Sequence, residues 1–385
     1  MNKLVRITTV PLSLEKLLEG QLSFMSKHFE VLAVSSQEER LKKFGKENNV
    51  RTKYINLTRK ITPFKDIIAL FKMYSFLRKE KPLIVHTHTP KAGIVGMAAA
   101  FFARVPIRLH TVAGLPLMEE KGFKKKLLVF IEKLTYAFST KVYPNSSGLY
   151  NFIIKYKFTR PNKLKIIGNG SSNGIDTKYF STSHFSEVEI EKKREELKIK
   201  KQDFVFIFVG RIVKDKGINE LVNAFVTLNK TQENSKLLLI GPFEDDLDPL
   251  TNLTLHNIKT NENIITTGYK IDVRPYFAVS DALIFPSYRE GLPNVVLQAG
   301  AMKLPSVVSD INGNNEIITN NKNGLIIPVK DSLILLEAMK KISNNKTLYN
   351  DLKQNARVAI ETKYNRAILW EQILEEYTHL IKAIK

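Results

Sequence analysis

Cysteine is absent from the 385 residues, which excludes disulfides, thiolate metal ligands and thiol redox chemistry. That absence fits a reducing compartment, and the expected location is the cytoplasm. Long hydrophobic runs are missing too. The longest, Ala92–Ala103, falls well short of the ~20 residues that span a bilayer. Near the N-terminus Lys3 and Arg6 interrupt a short apolar stretch that reads as a strand, so no secretory leader is expected. Acidic residues are scarce in one half only. Residues 1–180 hold 32 Lys+Arg against 12 Asp+Glu, whereas 181–385 hold 27 against 26. Nearly all of the net charge of +21 therefore sits in the first half. Such a surplus suits a polyanion: nucleic acid, anionic lipid headgroups or a phosphorylated acceptor. General lysine richness is the competing explanation, and it leaves the neutral second half unexplained.

What is present is ordinary globular material, 43% apolar, in a chain longer than one core usually supports, so two domains are expected. In the first half, strands are expected at Leu4–Thr9, Val31–Ser35, Tyr54–Leu57, Leu83–His88, Ile107–Val112 and Lys141–Pro144. Helical patterns lie between them at Ser13–Lys27, Lys65–Lys79, Lys91–Arg104 and Gly122–Phe138. Alternation of this kind implies a parallel, doubly wound sheet. The pattern lapses near Phe180, and the charged run Glu187–Lys200 reads as the inter-domain connection. A second series follows, with strands at Phe204–Val209, Lys236–Ile240, Ile264–Thr267, Ala282–Phe285, Ser306–Ser309 and Leu325–Ile327. Its helices are expected at Ile218–Thr227, Val273–Val279, Asn294–Met302 and Ser332–Ile342. The expected domains are thus 1–180 and 181–364, with a last helix over 365–385 that carries the single tryptophan, Trp370, and either caps the second domain or crosses back to the first. Two such α/β sheets, each Rossmann-like, would bind ligands in a crevice at the carboxyl ends of their strands.

Two runs in the second half carry chemistry. In the first, Phe208-Val209-Gly210-Arg211 ends a buried strand and leads to Lys214-Asp215-Lys216-Gly217. A guanidinium and an ammonium at such a corner suit a phosphate, Arg211 as a two-pronged donor and Lys216 as a point charge. A solvated basic loop is the alternative. The second run is Pro286-Ser287-Tyr288-Arg289-Glu290-Gly291-Leu292-Pro293-Asn294. Here Gly291 permits a tight turn, Pro293 fits a first helical turn, and the new helix start offers its amides to an anion. Glu290 beside an anion site is costly unless it bonds something specific such as sugar hydroxyls; a helix-start acid favoured by the dipole is the alternative. Gln298 lies about two turns further on, on the same face.

Glu290, seven residues and Gln298 together resemble the Glu-seven residues-Glu motif of retaining GT-B glycosyltransferases of the family-4 type. Gly210-Arg211 with Lys216-Gly217 resembles the diphosphate-binding pair of that family. In the first half, Val85-His86-Thr87-His88-Thr89-Pro90-Lys91-Ala92-Gly93 and Leu109-His110-Thr111-Val112-Ala113-Gly114 resemble the capsule, O-antigen and lipid-linked oligosaccharide enzymes of the group. The resemblance implies that Arg211 and Lys216 neutralise a departing diphosphate, Glu290 bonds the transferred sugar and position 298 holds the ribose. It implies that Gly210, Gly291, Leu292 and Asn294 complete the donor site and that His110 lies near the reacting sugar. Gln298 is neutral where the motif has a carboxylate, which weakens the expected ribose grip. A nucleoside diphosphate sugar, UDP-linked, is the implied donor, with no cofactor and no metal, and the acceptor is a polyprenyl-diphosphate-linked saccharide.

In the first half, His86 and His88 lie two apart on one strand face and read as polar lining for an acceptor. Lys91 opens a helix, where the dipole disfavours a cation, so it is either an acceptor-phosphate ligand or an inexpensive surface lysine. Lys121, Lys124, Lys125 and Lys126 surround Phe123 ahead of an apolar helix; the cluster is either an anionic-membrane patch or a solvated face. The expected protein is peripheral on the inner membrane face. A nucleotide-sugar epimerase remains an alternative. A nucleic-acid partner is not expected, because the basic residues are scattered and no reading motif occurs.

Overall fold

The computed structural model describes residues 1–58, 62–115, 117, 122–244 and 248–384. Two compact units divide it: Met1–Gly174 together with Arg366–Lys385, and Ile175–Asn365. Each is built on one parallel sheet. The first contains β1 (Lys3–Ile7), β2 (Glu30–Ser35), β3 (Arg51–Tyr54), β4 (Ile84–Thr87), β5 (Ile107–Val112) and β6 (Lys141–Pro144), in the order β3-β2-β1-β4-β5-β6. The second contains β7 (Phe204–Val209), β8 (Ser235–Ile240), β9 (Ile264–Gly268), β10 (Ala282–Phe285), β11 (Ser306–Ser309) and β12 (Gly324–Ile327), in the order β12-β11-β10-β7-β8-β9. Both orders are the doubly wound Rossmann arrangement, with its switch point between β1 and β4 in one sheet and between β7 and β10 in the other.

The sheets are buried on both faces, and the sequence shows why. Strand β7 reads Phe-Val-Phe-Ile-Phe-Val without alternation, and its central residues are fully buried. In the first unit, successive residues feed two cores. Leu4, Val31 and Ile84 pack with Leu369, Ile373 and Tyr377 of the helix Arg366–Lys382. Their neighbours Val5, Leu32 and Val85 pack with Met73, Leu77, Ala92 and Met97 on the opposite face. The C-terminal helix therefore completes one side of the first sheet.

Several elements depart from the sequence expectation. The stretch Ser13–Lys27 is two helices, Pro11–Leu17 and Gln21–Met25, separated at Gly20, whose φ of 73° a side chain would strain. A Cβ there would also lie 2.9 Å from Trp370 Cη2. Strand β3 forms over Arg51–Tyr54, not Tyr54–Leu57. It is an exposed edge, so hydrophobicity does not mark it; the buried Ile55 and Leu57 lie just past its end. The run Glu187–Lys200 is not a connection. It contains the helix Glu187–Glu196 of the second unit, opened by a capping box between Ser186 and Glu189. The units part instead at Gly174 and Asn365.

Candidate functional site

The second unit builds its site where β7 and β10 release their chains. After β7, Gly210 donates its amide to Ile240 O at 2.9 Å, and a Cβ on Gly241 would sit 1.8 Å from Gly210 O. The backbones after β7 and β8 therefore touch, and glycine alone fits. A turn at Lys214–Lys216 follows, ended by Gly217 at φ 71°, where a Cβ would sit 2.2 Å from Pro286 O. That contact joins the β7 and β10 loops across the switch point, and Tyr288 N donating to Asp215 O at 2.9 Å joins them again. As a result Lys216 Nζ donates to Glu290 Oε1 at 2.6 Å, with both side chains about 15% exposed. Two residues singled out from sequence, 74 positions apart, thus form one ion pair.

Arg211 is more open, at 40% exposure, and donates to Glu244 Oε2 at 2.9 Å, which raises its pKa. Asp215 lies 3.9 Å from Arg211 and holds Arg289 at 2.9 Å. The cations are thus held in place by neighbouring carboxylates. Glu290 and Gly291 are clamped from the β11 side: Asn312 Nδ2 donates to both carbonyls at 3.2 and 3.0 Å. Gly313, at φ 82°, brings its backbone so close that a Cβ would lie 2.0 Å from Gly291 O. The helix Asn294–Ala301 then begins with no side-chain cap. Pro293 occupies its N-cap, one position earlier than expected. Leu292 is buried, Asn294 exposed and Gln298 half-buried. Glu244, Asp215, Asn312 and Gly313 were not singled out from sequence. They sit in loops that only the sheet order brings together, and the glycine-asparagine pattern near residue 313 was the one available signal.

In the first unit the histidines separate. His86 and His88 do share a face, with ring centroids 4.2 Å apart. His86 is buried and committed: Tyr377 Oη lies 2.5 Å from Nδ1 and Thr111 Oγ1 2.8 Å from Nε2. Arg6 donates to the same Tyr377 oxygen at 2.5 Å, so the phenol proton goes to His86 Nδ1 and Nε2–H goes to Thr111. Both ring nitrogens of His86 are therefore occupied within the fold. His88 is equally buried, and neither ring nitrogen has a partner among the described residues. It faces a cavity of about 20 Å³ shared with Asn145 and Ser171, room for one water and not for a sugar. His110 lies on the other face, bonded to Thr87 Oγ1 at 2.7 Å beneath Gly93. Burial lowers the pKa of all three, that of His110 to about 4, so the rings are neutral at pH 7. Among the described residues no His, Asp or Glu cluster has the makings of a metal site.

Lys91 opens the helix Pro90–Phe102. It is 12% exposed and paired with Asp66. Phe123 is 81% exposed, with Lys124 and Lys126 exposed and Lys125 half-buried around it; Lys121 lies outside the described residues. Among those residues, no helix is long and apolar enough to cross a membrane.

Comparison with known proteins gives this geometry its context. Residues 189–359 match the family described as glycosyl transferases group 1, and residues 26–170 match the glycosyl transferase 4-like domain. The chain is 33% identical over 384 residues to the capsular polysaccharide biosynthesis glycosyltransferase CapM of Staphylococcus aureus, covering 99% of this chain and 98% of that one. It is 29% identical over 346 residues, 87% and 85% of the two chains, to the UDP-Gal:alpha-D-GlcNAc-diphosphoundecaprenol alpha-1,3-galactosyltransferase of Escherichia coli. In structure it is similar to Anabaena HepE, crystallised with UDP and glucose, with a TM-score of 0.83 at 17% identity over 98% and 100% of the two chains. A relative alike along its whole length, two family matches and the shared GT-B architecture lead to one conclusion: the chain belongs to the group 1 glycosyl transferases and is a glycosyltransferase.

Proposed function

We propose that this glycosyltransferase moves a hexose or acetamido-hexose from UDP to a lipid-linked saccharide, with retention at the anomeric carbon. The observation that carries the reading is the junction of Lys216, Glu290 and the uncapped helix start after Gly291, with Arg211 beside it. Lys216 keeps donors beyond the one Glu290 takes, so it can hold a phosphate oxygen and the sugar-binding carboxylate together. In the reaction, the bond from the anomeric carbon to the diphosphate oxygen breaks and its electrons leave with the diphosphate. The acceptor hydroxyl bonds to the anomeric carbon from the same face, and its proton passes to a diphosphate oxygen. Arg211, Lys216 and the helix start stabilise the charge that develops, so two cations and a dipole can serve without a bound metal. His110 is buried, bonded to Thr87 and neutral at pH 7.

UDP is favoured because HepE was crystallised with it. A lipid-linked acceptor is favoured by the diphosphoundecaprenol acceptor named for the E. coli relative. The surface agrees. On the helix Pro63–Glu80, Phe64, Ile67, Ile68 and Phe71 are all more than half exposed, at the i, i+3, i+4, i+7 spacing of a single stripe. With Phe123 and Lys124–Lys126, that stripe suits docking on the anionic inner face of the cell membrane. No observation favours the epimerase alternative. Replacing Arg211 or Lys216 with alanine is expected to lower turnover roughly 10²-fold at saturating acceptor. Turnover near that of the unaltered chain would refute the assignment.

A further inference from the structure

The first unit carries an apolar groove of about 850 Å³ that the transfer chemistry leaves unused. Its floor is the helix Pro90–Phe102, through Ile94 and Ala98. Ile67 and Leu70 form one wall, and Leu127 and Ile131, from the helix Gly122–Phe138, form the other. The floor helix has 13 residues, so the trough is about 20 Å long. One end opens at Thr9 and Thr89, whose hydroxyls lie 2.6 Å apart just past β1 and β4. That is the switch point of the first sheet, where such folds place ligands. The other end runs out at Phe102, 57% exposed.

Charge is arranged along the trough. Lys91 stands at the switch-point end and Lys124 on the second wall. Lys91 Nζ retains donors beyond the one Asp66 takes. The remaining acid, Glu132, is buried; burial pushes its carboxyl up to about 7 against a smaller opposing pull from the Tyr136 hydroxyl. Its Oε2 meets no hydrogen-bond partner among the described residues. Apolar walls lined also by Lys124 and by Lys91 beside Asp66 suit an amphiphile with an anionic head and a hydrocarbon tail.

We propose that this groove holds the first part of the isoprenoid chain of the lipid-linked acceptor, with the chain's phosphate at the Lys91 end. The proposal rests on the lipid-linked acceptor assigned above. It makes the enzyme select the carrier lipid as well as the saccharide. Chain and saccharide are read by different surfaces, so their contributions separate.

The experiment compares two acceptors with the same saccharide diphosphate, one on a long polyprenyl chain and one on a short alkyl chain. Filling the groove with Ala98→Trp is expected to raise the ratio of long-chain to short-chain KM roughly tenfold, because several methylenes lose their burial. An unchanged ratio overturns the proposal. In parallel, the unaltered chain is irradiated with a diazirine-bearing polyprenyl phosphate. Label is expected on the helices Pro90–Phe102 and Gly122–Phe138, and label confined elsewhere overturns the proposal. Equal labelling of the helix Pro90–Phe102 by a diazirine phosphatidylglycerol vesicle would make the groove a bilayer contact, and a dimer closed over it in sedimentation would make it a self-interface; either result overturns it. If the unaltered chain transfers to neither acceptor, the lipid-linked reading fails, and the labelling still decides whether the groove takes prenyl chains.

Discussion

Lys216 carries its charge at 15% exposure beside a carboxylate, so its environment matters as much as its sign. Glu290 neutralises part of the field a diphosphate would meet. Glu290→Gln should therefore bind UDP at least as tightly as the unaltered chain while transferring sugar roughly 10²-fold more slowly, since a sugar contact is lost and the cation is freed. Calorimetry with UDP and a turnover assay separate the two effects, and a parallel fall in both would contradict the assigned role. Glu132 offers a stability test. Its folded pKa of about 7 lies above its ordinary 4.5, so the folded chain holds a proton that the unfolded chain has released, and stability falls as pH rises through that window. Glu132→Gln should remove that loss, leaving the variant more stable by up to about 3 kcal/mol at pH 8 and little changed below pH ~4. Denaturant midpoints at the two pH values check this; equal midpoints at pH 8 would show that the carboxyl is better solvated than its burial implies.

Single elements position these residues through contacts that only glycine permits. Gly217→Ala places a Cβ against Pro286 O at a positive φ, and should cost at least ~1–3 kcal/mol of stability in the second unit while weakening UDP binding, because the β7 and β10 loops must part. Melting and UDP titration test it together. The C-terminal helix is the corresponding element of the first unit. Tyr377 joins Arg6 to His86, and Leu369 and Ile373 cover the sheet. Deleting residues 366–385 should therefore unfold the first unit and spare the second, which circular dichroism with limited proteolysis would resolve. The same elements show what a sequence displays and what it hides. Strands β7 and β10 were legible to the residue because burial on both faces makes them uninterrupted apolar runs. The exposed edge strand β3 was not, and neither was the helix Glu187–Glu196, which is charged on most of its surface and buries no residue fully. Lys216 and Glu290 were legible because a strand end, a glycine and a helix start flag them locally. The commitment of His86 to Tyr377, 291 positions away, has no local signal and belongs to packing alone.

Across the whole molecule, the excess positive charge and the exposed apolar stripe of the helix Pro63–Glu80 fall on the same unit. Residues 1–180, with 32 Lys+Arg against 12 Asp+Glu, include the exposed stripe of the helix Pro63–Glu80, Phe123 and the lysines beside it. Binding to vesicles should therefore require anionic lipid and weaken steeply with salt, and Phe64→Ser with Phe71→Ser should weaken it further without altering UDP affinity. Co-sedimentation that shows no preference for anionic vesicles would contradict membrane docking. The proposed donor site lies in the second unit, within residues 181–385, which hold 27 Lys+Arg against 26 Asp+Glu, and the proposal turns on what grips the diphosphate there. Titration of UDP and of uridine against the unaltered chain, Arg211→Ala and Lys216→Ala tests that most directly. The account predicts that each variant loses roughly tenfold or more in UDP affinity and retains whatever affinity it has for uridine. Undiminished UDP binding in both variants would contradict it.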